Sequence, residues 1–192
     1  AKASPTPGEE LVADGFSVLG KTSGITLYRH ARSVGIEFAA EGDMPAAPER
    51  VRRVLLDFAA HTKWQDHVVE SRVIDQGPDW ADVYERPGLP VIEDRDYTLH
   101  VTWGEASGNV LWTKFVAKPG IGPAPVDGVT RVRSHGGAWK LLPVDDGKAT
   151  HAVYRFYLDI ESDLQNVMGS GQAESGIVDY FHEITGQLPN YP

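Results

Sequence analysis

Between Val68 and Ile160 the chain reads as strand after strand. The runs VVESRVIDQ, ADVYER, DYTLHVTWGE, NVLWTKFVAK, TRVRSHGGAWKLLPV and ATHAVYRFYLDI are broken only by clusters of Gly, Pro and Asp. Alternation at a period of two puts successive side chains on opposite sheet faces, so each run has one face to bury. EASGN and VDDGK are hairpin signals, which make neighbouring strands antiparallel. A sheet this wide needs a cover, and one long apolar element follows it. SDLQNVMGSGQAESGIVDYFHEITGQL predicts a terminal helix with Leu164, Met168, Gly171, Ser175, Val178, Phe181 and Thr185 on one stripe. Gly169, Gly171 and Gly176 weaken that helix, by about 1 kcal/mol per interior glycine relative to alanine, so a break near 169–171 is one reading of it.

The earlier part of the chain is mixed. EELVADGFSVLGKTSG predicts a short helix through Leu11, Val12, Phe16 and Leu19, ended by Gly20 and Gly24. ITLYRHARS and VGIEFAAEGDM predict paired strands. AAPERVRRVLLDFAAHTKW predicts one helix with Pro48 at its start and an apolar stripe of Val51, Val54, Leu55 and Phe58. Residues 1–8 are polar and Pro-containing and are expected to be a disordered lead; 9–188 form one domain. Helices segregated from an antiparallel sheet define an α+β fold.

Bulk properties narrow the function. The 192 residues suit one domain, and 41% hydrophobic with 23% charged is ordinary for a soluble globular protein. No apolar run is long enough to span a bilayer. A net charge of −9 with no basic stripe argues against nucleic acid. It also limits any membrane contact to a transient, apolar one. With no cysteine, disulfides, thiolate metal sites and cysteine nucleophiles are excluded. His61, His67, His135 and His151 lack metal-ligand spacing and read as core or solvated residues, so no metal and no cofactor is expected. The polar lead at Ala1 and the lack of cysteine favour an extracytoplasmic, periplasmic location over a cytoplasmic one, and a monomer is expected.

One stretch stands apart. In ERPGLPVIEDRDY, Leu89, Pro90, Val91 and Ile92 form an apolar loop tip between two strands, where loops are usually polar. Alternation in the following strand sets Arg95, Tyr97, Leu99, Val101 and Trp103 on one face and turns His100 to the other. The same phase turns Ala81, Val83 and Glu85 inward, and a buried carboxylate is costly without a partner. Three readings of Glu85 stand: an anchor for a ligand hydroxyl, a structural partner of Arg95 or Arg131, or a rim carboxylate in water. Arg95 and Asp96 read as an ion pair that fixes the loop.

These residues resemble the START (steroidogenic acute regulatory protein-related) lipid-transfer domains. DRDYTL, preceded by an apolar loop and a strand with Glu, carries the resemblance, together with SGITLYR, VLLDFAAHTKWQDHVVES, GVTRVRSHGGAWKLLPV and YRFYLD in the same order over roughly residues 10–185. The resemblance implies a helix-grip fold, a curved antiparallel sheet wrapped around the C-terminal helix and enclosing an apolar tunnel. It implies a non-catalytic carrier of one lipid or sterol-like molecule; relatives in the broader superfamily make a cyclase, aromatase or hydrolase of an apolar substrate the alternative. Leu89 to Ile92 would then be the gate. Ligand-binding candidates are Glu85, Tyr97, Leu99, Val101, Trp103, Trp112, Met168, Gly171, Ser175 and Val178, with His61 and Arg95 at a polar rim; Trp139 is either lining or plain core. Departures are specific. His61 and Gln65 stand where phosphatidylcholine-binding members have Arg and Asp, which argues against a phosphocholine head group. Val101 stands where sterol-binding members have the Arg that pairs the buried Glu, and the Gly and Pro ahead of the last helix are missing.

Overall fold

The computed structural model describes residues 4–31, 35–88, 94–158 and 170–192. Helix α1 (Pro7–Ala13) is closed at its N-terminus by a reciprocal capping box, Thr6 with Glu9. It begins two residues inside the stretch read as a disordered lead. It also ends before Phe16, and Ser17–Thr22 is a strand, β1, rather than a continuation of the helix. The cause is local: Gly15 adopts φ 96°, a left-handed conformation that terminates a helix cheaply only at glycine. Every residue of β1 is exposed on a sheet edge, so it carries no alternation that a sequence reading could detect.

Strands β2 (Ile25–Ala31) and β3 (Ile36–Met44) follow as the periodicity predicts. The stretch predicted as one helix to Trp64 is in fact broken. Helix α2 (Pro48–Leu56) stops at Asp57, a single 3-10 turn spans Phe58–Ala60, and the short α3 covers His61–Trp64. The break turns Phe58 into a cluster with Ala81, Val83, Leu99 and Val101, and turns His61 toward the sheet. A straight helix would carry both residues past it.

Then come β4 (Val68–Gln76), β5 (Trp80–Pro87), β6 (Asp94–Ala106), β7 (Val110–Ala117), β8 (Val129–Arg131), β9 (His135–Val144) and β10 (Ala149–Leu158), before α4 (Ser170–Gln187). The run read as one strand from Thr130 to Val144 is thus two, and β8 pairs parallel to β6. The main path is β1-β2-β3-β10-β9-β7-β6-β5-β4, antiparallel throughout, with free edges at β1 and β4, so the curved sheet is not closed.

The inner face of this sheet packs on α2 and α4. Ile25, Leu27, Phe38, Ala40, Leu111, Trp139, Leu141, Ala152 and Tyr154 meet Val51, Val54, Leu55, Ile177, Val178, Phe181 and Ile184 in one core cluster. Truncating a residue such as Phe181 there should cost about 3–5 kcal/mol. The inward stripe of α4 is therefore Ile177, Val178, Phe181 and Ile184, continued by Leu188 in the 3-10 turn that follows. Val178 and Phe181 were anticipated, whereas Ser175 is exposed, a correction of its predicted lining role. Gly176 is exposed as well, and a Cβ built there meets nothing within 4 Å. Gly176→Ala is accordingly expected to raise stability by up to about 1 kcal/mol, read as an upward shift in Tm; a destabilised variant would show that α4 needs its backbone freedom there.

The outer face is covered in two places. Leu11 and Phe16 pack on Tyr28, Ala39 and Val153. Over β5 and β6 lies the 118–131 loop, whose Gly122 sits so close to Thr98 that a Cβ would be 2.3 Å from its hydroxyl.

Candidate functional site

The interior between sheet and α4 is apolar, yet a set of polar side chains converges in it. Glu85, 7% exposed, projects inward from β5, and His61, 4% exposed, reaches it from α3. His61 Nδ1 lies 2.7 Å from Glu85 Oε1, and Nε2 lies 3.2 Å from the Leu55 carbonyl oxygen. Ser71 Oγ donates to Oε1 at 3.0 Å, and the Tyr97 hydroxyl donates to Oε2 at 3.2 Å. Burial works against charge on Glu85, but the His61, Ser71 and Tyr97 contacts outweigh it and hold its pKa below the usual carboxylate range. A carbonyl oxygen can only accept, so Nε2 of His61 carries a proton; facing an ionised carboxylate, Nδ1 carries one too. The pair is a buried imidazolium–carboxylate.

This corrects three expectations. His61 is interior rather than on a rim. The partner of Glu85 is neither Arg95 nor Arg131, and the cation missing from the adjacent strand at Val101 comes instead from a helix. Glu85 also already accepts from three side chains of its own protein, so little of it is open to a ligand hydroxyl. Ser71 went unnoticed in the sequence, although the strand register places it directly opposite Glu85.

Around this pair runs an aromatic wall. On the sheet, Trp139 stacks on Tyr154 at 4.3 Å, Tyr154 on Phe156 at 5.0 Å, and Phe156 on Phe38 at 5.9 Å between ring centroids. Tyr180 of α4 meets Tyr154 at 5.7 Å and stacks on Trp64 at 6.3 Å. Burial raises the pKa of Tyr97, Tyr154 and Tyr180, and the negative charge of Glu85 raises them further, so all three phenols are neutral. His135, on β9 in phase with Trp139 and Leu141, sits 5.2 Å from each of the Tyr97 and Phe115 rings. Trp64 Nε1 is buried with no hydrogen-bond partner among the described residues.

The other predicted site residues divide. Leu99 and Val101 are buried and Trp103 packs beside them, on the inner face as alternation required. Trp112 is a correction. It lies on the outer face, where Lys114 approaches its ring at 5.2 Å, because Leu111 and Thr113 take the buried positions of β7. Gly171 falls within α4; Met168 and the gate residues Leu89, Pro90, Val91 and Ile92 lie outside the described residues.

Arg95 does not pair with Asp96. Arg131 does, with Nε 2.9 Å from Oδ1 and Nη2 2.7 Å from Oδ2, while Tyr84 donates to Oδ2 at 3.1 Å. Asp96 and Thr98 point outward as predicted but are each only 1% exposed, because β8 and the 118–131 loop cover that face. Burial opposes charge on Asp96, and the Arg131 contacts prevail, lowering its pKa. Arg95 is half-buried, and its Nε is buried without a partner among the described residues. His100 faces outward as expected, 2.7 Å from Asp82. Among the described residues no cluster of metal-ligating side chains occurs, and no helix is long and apolar enough to cross a membrane.

No protein-family model matches the sequence, and no curated protein matches it significantly. Solved structures do. A STAR-related lipid transfer protein from Xanthomonas axonopodis is 23% identical, covers 92% of this chain and 99% of its own, and superposes with a TM-score of 0.79. Human StAR-related lipid transfer protein 5 is 13% identical over 96% of this chain and 93% of its own, with a TM-score of 0.77. The Zhui aromatase/cyclase from a Streptomyces species is 12% identical over 80% of this chain and 93% of its own, with a TM-score of 0.56. The chain has the START, or helix-grip, fold.

Proposed function

We propose that the protein binds one hydrophobic, ring-bearing molecule between the sheet and α4 and carries or presents it without chemical change. The observation that supports this most directly is the state of the interior: an aromatic lining in which the buried Trp64 Nε1 has no partner among the described residues. Buried polar groups are almost always satisfied, so an unsatisfied donor in an apolar interior is what a bound molecule would complete. The likeness to structures named for lipid transfer supports the same reading.

The alternative, an enzyme on the same fold, draws support from the aromatase/cyclase neighbour. It needs a general acid and a general base within reach of one substrate atom. Glu85 and His61 neutralise one another and spend their hydrogen bonds within the protein. That favours the carrier, which further acts as a monomer with only transient membrane contact.

The test is solvent extraction of the purified protein followed by mass spectrometry of the extract, with thermal-shift screening of neutral hydrophobic compounds. A ligand at a hundredfold its Kd should add about 2.7 kcal/mol, and each kcal/mol raises Tm by roughly 2–4 °C at this size. An extract without a bound molecule, together with no Tm shift across the screen, overturns the proposal. Conversion of a bound compound on incubation would favour the enzyme.

A further inference from the structure

Once Glu85 is saturated by its own protein, a different group is left to choose the ligand. His135 Nδ1 lies 2.9 Å from the Tyr157 carbonyl oxygen. Because a carbonyl only accepts, Nδ1 bears the proton and donates it, which fixes the tautomer. Burial holds the imidazole pKa below its ordinary value, so the ring is neutral and Nε2 is a bare lone pair. No described residue donates to it. The ring stands among Tyr97, Phe115 and the edge of Phe156, on the inner face of β9.

Its neighbours are not acceptors alone. The Tyr97 hydroxyl is committed to Glu85. Trp64 Nε1 can only donate, and the neutral phenols of Tyr154 and Tyr180 can turn to donate or accept, whereas His135 Nε2 can only accept. We infer, resting on the carrier reading, that His135 Nε2 is the hydrogen-bond acceptor that selects the ligand, and that the ligand is an uncharged ring system bearing a free hydroxyl. An anionic head such as a carboxylate would bring its charge against the Nε2 lone pair in an apolar site. A molecule lacking a donor leaves Nε2 unpaired in an apolar site, and sites built for a hydroxyl reject the analogue that lacks it. Ring-shaped partners suit the flanking aromatic faces, which favour offset or edge contacts with another ring.

β-Naphthol and its methyl ether isolate this contact, since they share shape and differ in the donor. The wild type should bind β-naphthol about fivefold to tenfold more tightly in a fluorescence titration. His135→Phe should abolish that preference with the ether's affinity unchanged, and His135→Gln, which restores an acceptor, should recover part of it. Nitrogen NMR of the wild type gives a readout free of any folding defect in the variants. It should show His135 protonated at Nδ1, with the Nε2 resonance moving on addition of β-naphthol and not of the ether. Equal affinities, or an unmoved Nε2 resonance with β-naphthol bound, overturn the role of His135 and leave the carrier reading standing. Binding of neither probe overturns both.

Discussion

Glu85→Ala is expected to destabilise the protein by about 3–5 kcal/mol, the usual cost of stripping one partner from a buried ion pair. The substitution leaves the His61 imidazolium, 4% exposed, without its counter-charge and leaves Ser71 and Tyr97 without their acceptor. Replacing both members together, as in Glu85→Leu with His61→Leu, should cost clearly less than the sum of the single changes, because each alone strands a charge and the double change strands none. Urea unfolding of the two single variants and the double variant measures this. Additive losses would mean that the two groups do not interact. The pair also sets a pH dependence. Because the Glu85 pKa is lowered in the folded state, the unfolded chain takes up the proton first as pH falls. The stabilisation is therefore complete above the unfolded carboxylate pKa of about 4.3 and is lost as pH drops through the folded value. Glu85→Gln should flatten stability against pH in that acid window.

Asp96→Ala should produce a loss of similar size, again about 3–5 kcal/mol, with Tm falling by roughly 2–4 °C for each kcal/mol. Asp96 is 1% exposed and receives two hydrogen bonds from Arg131 and one from Tyr84. Arg131 in turn donates to the Pro123 carbonyl, so the carboxylate ties β6, β5 and the 118–131 loop into one unit. Its loss should raise hydrogen exchange in that loop selectively, before the strands open. A variant with wild-type Tm and an unchanged loop would show that the outer cover is held by packing alone. Because Asp96 sits on the outer face, the interior and any ligand affinity should be unaffected in the protein that remains folded, which separates this lesion from that at Glu85. The folded-state pKa of Asp96 is also lowered, so its contribution, like that of Glu85, is present at neutral pH and lost toward acid.

Several parts of this arrangement were legible in the residues. The inward set Ala81, Val83 and Glu85 and the set Leu99, Val101 and Trp103 follow from alternation, and His100 was correctly turned away. His135 carried a signal that went unused: it shares its phase with Trp139 and Leu141, both buried. Trp112 failed the same test in reverse, since Leu111 and Thr113 claim the inner positions beside it. The breaks at Gly15 and Asp57 were missed because composition and stripe both continue across them, while a change of one or two dihedrals redirects the chain.

Taken alone, the sequence determined the antiparallel sheet, the terminal helix that covers it, the inward direction of Glu85 and the resemblance to lipid-transfer domains. These depend on periodicity and local turn chemistry, which act between residues close in the chain. Only the tertiary structure decided which charge meets which. His61 and Glu85 lie 24 residues apart, and Arg131 and Asp96 lie 35 apart. No local pattern encodes such pairs. They are chosen by the register of β4, β5 and β6, by the turn after α2 and by the parallel seat of β8, which together remove these side chains from water and leave each ion one partner within reach.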